Sequence, residues 1–262
     1  MQTPRRSIGL LALALTCASS VSADVGGSPP PSSADTRVRA LAGYDALLQA
    51  AVKGRMVDYA VVEREAPALR AFIESVRSTP IEGKDGLASV TKEQRLAFYT
   101  NAYNATVLAL VLEHKRPKSV LSVDGFFDKK KHTIAGESLT LNELEEKKIR
   151  ASGDPRVHFV VNCASDDCPP LAPFAYRGES WERDLENQTR AYLARPGEVA
   201  IDDAKKTITV VQLFEWYRGD FGGDDGVRKF LARYDAARAK TLMEKSYTLA
   251  YRPYDWDLNT VR

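Results

Sequence analysis

Residues 154–171, DPRVHFVVNCASDDCPPL, bring Cys163, Cys168 and His158 into one short stretch. An ionised thiol is a strong nucleophile, and imidazole titrates near neutral pH, so residues of these types suit covalent catalysis. The spacing Cys163-x4-Cys168 leaves four fates open: a disulfide, a nucleophilic Cys163, inert thiols or a metal pair. A disulfide needs the loop to bring the Cα atoms within about 7 Å. A nucleophile needs a histidine or a helix N-terminus to lower its pKa. Zinc wants four ligands or an evident histidine partner, and no Cys-x2-Cys pair is present. No metal or other cofactor is therefore expected, and a four-residue spacer fits a thioredoxin-like redox motif poorly.

Residues 156–162 have the β-branched and aromatic content of a buried strand, bounded by Pro155 and by Pro169 and Pro170. Such a strand would present the cysteines at the end of a rigid element. His158 is the nearest candidate base, but on a regular strand positions 158 and 163 face opposite sides, about 16 Å apart. Either the strand ends early, or Cys163 finds His132 or His114 instead. His158 bonded to backbone is the plainer alternative.

The element that must support this loop is a helix over residues 91–114, opened by a capping box from Thr91 to Gln94. Residues 96–112 are apolar on nearly every side, which predicts a central helix surrounded by the rest of the domain. Asn101 and Asn104 break that pattern. A buried, unpaired amide costs about 1 to 3 kcal/mol, so each must bond something, either loop backbone or a group of the site. Asn104 is expected to reach the segment containing Asn162 and Cys163.

A hairpin is expected over residues 132–139, then a short helix, LNELEEKKIR, capped by Thr140 and Glu143. Helix propensity explains most of this pattern, and Glu145 stays a candidate site residue beside it. The run Lys129, Lys130, Lys131 reads as solvated loop. Helical faces over residues 35–51, 69–76, 180–192 and 227–234, with hairpin strands at 198–201 and 207–211, predict an α+β domain. Its expected form is a central buried helix packed against a mostly antiparallel sheet, with other helices around it. A last strand leads into YDWDLN at residues 254–259, an aromatic segment expected to dock.

The motifs FYTNAYNA, LTLNELE, DPRVHFVVNCAS with CPPL, and YDWDLN occur here in order from about residue 98 to 259. In this the chain resembles the domain-of-unknown-function family numbered 547 (DUF547). The resemblance implies a self-contained fold and, for a bacterial member, secretion; the family name carries no activity. Many relatives have a histidine where Glu146 stands, after the pair matched by Leu144 and Glu145. Plant relatives keep the residue matching Cys163 more reliably than the one matching Cys168.

Residues 1–23 run from basic (Arg5, Arg6) through apolar to small side chains, as a secretory signal peptide does, with cleavage expected after Ala23. Residues 24–34 read as a disordered linker and residues 35–262 as one domain, with no transmembrane segment. Location is thus expected to be periplasmic or extracellular. A net charge of +2 argues against nucleic acid as the main partner. The candidate site residues are Cys163, His158, Asn104, Asn101 and Glu145. They suit a thiol-dependent hydrolase or acyl transferase of the cell envelope acting on a small molecule or peptide. The alternative is a non-catalytic binding module stapled by a Cys163–Cys168 disulfide.

Overall fold

In chain order, helix α1 (Ser33–Ala51) leads through the short strands β1 (Val52–Lys53) and β2 (Met56–Val57) to helices α2 (Tyr59–Arg64), α3 (Ala66–Ser78) and α4 (Lys92–Glu113). Strands β3 (His132–Ile134) and β4 (Glu137–Leu139) precede the short helix α5 (Leu141–Leu144), a π-helical turn (Glu145–Ile149) and a 3-10 turn (Pro155–Phe159). Helix α6 (Trp181–Leu193), strands β5 (Val199–Asp202) and β6 (Thr207–Val211), helices α7 (Leu213–Trp216), α8 (Gly223–Tyr234) and α9 (Ala239–Met243), and strand β7 (Thr248–Arg252) follow. This computed structural model describes residues 32–79, 81 and 90–261. The expected signal peptide and most of the expected linker lie outside them. Residues 32–34, read as linker, instead start α1: Ser32 Oγ accepts the Asp35 N–H at 3.1 Å, and Asp35 Oδ2 accepts the Ser32 N–H at 3.3 Å.

The fold is α+β, with the central helix where the apolar run predicts it. Thr91 and Gln94 close the expected capping box. Fourteen residues of α4 are buried, including Leu96, Val107 and Val111, which rules out an ordinary amphipathic surface helix. Helices α1, α2 and α3, the α5 region, and Val157, Val160, Val161 and Ala164 join α4 in one apolar core. A second core, with Phe214, Phe230 and Ile208, lies between the three-stranded sheet and α8. In that sheet β6 pairs antiparallel with β5 and parallel with β7.

The strand expected over residues 156–162 is not formed. Asp154 caps the turn instead, its Oδ1 accepting the Arg156 N–H at 2.9 Å, and Pro155 sits at the first turn where no N–H is needed. The apolar residues then divide between the two cores: Val157 and Val160 enter the first, Phe159 the second. The cysteine loop therefore runs along the seam between them. No helix among the described residues is long and apolar enough to cross a membrane.

Candidate active site at the cysteine loop

Buried amides hold the loop on both sides. Asn104, on α4, donates from Nδ2 to Val160 O at 2.9 Å and accepts the Asn162 N–H on Oδ1 at 2.9 Å. Asn162 continues the lattice: Nδ2 donates to Pro169 O at 2.9 Å, while Oδ1 accepts from Ala164 N at 3.0 Å and Asn259 Nδ2 at 3.4 Å. Tyr59 donates to Asn259 Oδ1 at 2.7 Å. The docked C-terminal segment closes the other side, with Asp255 O and Asp257 O accepting the N–H groups of Asp167 and Asp166. Asp167 in turn forms a bidentate pair with Arg252 at 2.6 and 3.0 Å. Asn101 pins the Tyr176 backbone rather than the cysteine loop.

Within this frame the two cysteines are free thiols, so the disulfide, one of the four fates, is not formed. Their sulfurs stand 2.9 Å apart. Ala164 between them has φ +62°, a left-handed conformation that costs a non-glycine residue about 1 to 2 kcal/mol. That turn folds the chain back, so that Cys168 Sγ accepts the Cys163 N–H at 2.9 Å. Cys163 is half-buried and Cys168 buried. Ser165 Oγ lies 2.9 Å from Cys163 Sγ, and the Tyr254 hydroxyl 3.4 Å from it. When Cys163 is ionised, the Cys168 thiol and these hydroxyls can all turn protons toward its sulfur. Burial works against the thiolate, but the donors outweigh it and bring the Cys163 pKa below its ordinary value. Burial and the neighbouring Cys163 push Cys168 well up.

Cys163 opens on a cleft of about 330 Å³ whose walls include Phe127, Trp216, Tyr254 and Trp256. Its volume suits a small ligand, and the mostly apolar lining with a few polar groups is the usual character of such sites. Glu145 and His158 line the same cleft. Glu145 begins the π-helical turn, a distortion often found at functional sites. Burial raises its pKa against the pull of the Tyr217 and Tyr103 hydroxyls and the Arg150 charge, and its Oε1 has no hydrogen-bond partner. The adjacent Glu146 is exposed.

His158 does not bond backbone. Its Nε2 is 2.8 Å from Asp220 Oδ2, and its ring stacks on Tyr217 with centroids 3.8 Å apart. An ionised Asp220 selects the tautomer with the proton on Nε2, leaving Nδ1 a buried lone pair without a partner. Burial lowers the His158 pKa to about 4, more than Asp220 restores, so the ring is neutral at physiological pH. The unfolded chain protonates this residue from about pH 6.5 downward, whereas the folded chain resists to about 4. Its contribution is therefore full above the unfolded pKa and is lost, by about 3 kcal/mol in all, as pH falls through that window. An NMR titration of the His158 ring should give a midpoint near about 4; a midpoint near 6.5 would remove the burial argument.

His114 and His132, the other expected partners of Cys163, are not in the cleft. The groups that do touch its sulfur, Ser165 and Tyr254, were not among the candidates. Ser165 follows in the CAS motif, and Tyr254 lies in the segment expected only to dock. The comparison with known families adds one finding. The family described as "Protein of unknown function, DUF547" matches residues 87–193. Over that stretch the chain matches the DUF547 family. The DUF547 match includes Asn104, Glu145, His158, Cys163 and Cys168, but it stops short of Trp216, Tyr217, Asp220 and Tyr254. Its extent is thus smaller than the motif resemblance implied, and part of the cleft is built from chain outside it. No curated protein and no solved structure matches the chain.

Proposed function

We propose that the protein is a thiol-dependent acyl transferase or hydrolase, exported from the cell, with Cys163 as the nucleophile. The observation that carries this reading is a half-buried thiol of lowered pKa on the wall of an aromatic cleft. In the first step the Cys163 thiolate attacks an acyl carbonyl, and the alcohol or amine leaves as a thioester forms. The leaving group takes a proton from Glu145, whose raised pKa keeps it protonated at higher pH than an ordinary carboxyl. The Glu145 carboxylate then takes a proton from water or an acceptor as that nucleophile breaks the thioester. His158 is too weak a base for this step, and its neutral ring serves to hold Tyr217 in the cleft wall by stacking on it. Asn104 fixes the backbone on which Cys163 stands.

Incubation with p-nitrophenyl esters tests the reading. A burst of nitrophenolate with an acyl adduct on Cys163 is expected, absent in Cys163→Ala. Adducts scattered over lysines, or no burst, would overturn it. The alternative, a binding module stapled by Cys163 and Cys168, draws on the 2.9 Å separation of the sulfurs. It predicts an oxidised resting protein that neither acylates nor alkylates. For export, the expected product starts at Asp24, with residues 1–23 removed. Intact mass of the exported chain checks this; a retained Met1, or a lipid on Cys17, would contradict it.

A further inference from the structure

We infer that Cys163 and Cys168 also carry out thiol–disulfide exchange, with Cys163 attacking and Cys168 resolving, on small disulfides bearing aromatic or apolar groups. Three features divide the roles. Both cysteines line the cleft, but Cys163 is only half-buried, whereas Cys168 is buried with 5% exposure. Cys168 lies 2.9 Å from the sulfur it would have to reach, so resolution requires no rearrangement of the loop. The Cys163 N–H, 2.9 Å from Cys168 Sγ, is a donor already aimed at the charge that appears when Cys168 loses its proton.

The polar lattice around the loop keeps this relation fixed. Asn104 and Asn162 hold the chain before and after Cys163, while Asp167 and Arg252 hold it just before Cys168. The cleft sets the substrate class. Trp216, Tyr254 and Trp256 form a mutually packed set, with centroids 4.8 to 5.5 Å apart, beside the sulfur. An aryl or apolar group can lie against these rings while its disulfide meets Cys163.

The electrons balance as follows. The Cys163 thiolate attacks one sulfur of RS–SR, that S–S bond breaks, and RS⁻ departs with the electron pair to leave Cys163–S–SR. Cys168 then gives its proton to the departed thiolate and attacks Cys163 Sγ, so that the bond to SR breaks and a second RS⁻ departs. The protein is oxidised by two electrons, and one disulfide becomes one thiol and one thiolate. Exchange in reverse with small thiols restores the dithiol.

The chain contains three cysteines, so the test uses the full chain in a Cys17→Ala background. Treated with dithiobis(nitrobenzoate), the Cys163–Cys168 protein should release about two aryl thiolates per chain and end without an adduct. Cys168→Ala and Cys168→Ser should each release about one and retain the aryl group on Cys163, while Cys163→Ala should react about 100-fold more slowly or less. A parent protein that stops at one thiolate with a stable adduct would overturn the inference. The nucleophile is shared with the proposed acyl chemistry, and the outcomes separate the two. Acyl adducts on Cys163 with exchange stalled at the mixed disulfide remove only the exchange, whereas a Cys163 inert to both reagents removes both.

Discussion

Asn104→Leu should destabilise the protein by about 2 to 6 kcal/mol, because it leaves two buried backbone groups without partners at about 1 to 3 kcal/mol each. The groups are Val160 O and the Asn162 N–H, which receive both arms of the amide. Leucine keeps the branched outline of asparagine but is bulkier, so overpacking adds to the loss. Urea unfolding measures it, and a change within about 0.5 kcal/mol, as at a surface position, would refute the clamp. Since the clamp ends one residue before Cys163, the same substitution should also slow alkylation of Cys163 under conditions where the protein stays folded. A full stability loss with unchanged thiol reactivity would make Asn104 purely structural.

Ser165→Ala should raise the titration midpoint of Cys163 by about 1 to 2 pH units. The Ser165 hydroxyl lies 2.9 Å from the sulfur, and a hydrogen bond to a charged group contributes about 1.5 to 3 kcal/mol. One pH unit corresponds to about 1.4 kcal/mol. The sign is fixed by which form the bond favours: removing a donor to the thiolate makes the thiol harder to ionise. Tyr254→Phe should act in the same direction and by less, since its hydroxyl is 3.4 Å away. Midpoints unchanged in both variants would mean that these hydroxyls point elsewhere.

What the sequence made legible was the frame of the site. An asparagine in a helix that is apolar all round must find a partner, and the most hydrophobic segment to pack on that helix ends at Asn162; the two do meet. Asn101 meets the same requirement through the other kind of partner, the loop backbone of Tyr176. The strand over residues 156–162 was misread because a run such as VHFVV looks the same whether its side chains share one core or divide between two. Here Phe159 turns to the second core, which local periodicity does not encode. Asp220 and Tyr217 come from a different part of the chain, and nothing near His158 announces them. Strand β7 was legible, but its parallel pairing with β6 depends on the path of α8 and α9 between them.

The nucleophile is tested most directly by the pH dependence of alkylation at the two cysteines, followed by mass spectrometry on the reduced protein. Cys163 should be modified with a midpoint below the ordinary thiol value of about 8.5, while Cys168 should stay unmodified well above that pH, because burial and the adjacent Cys163 oppose its ionisation. Equal reactivity at the two positions, or a Cys163 midpoint at or above about 8.5, would contradict the account.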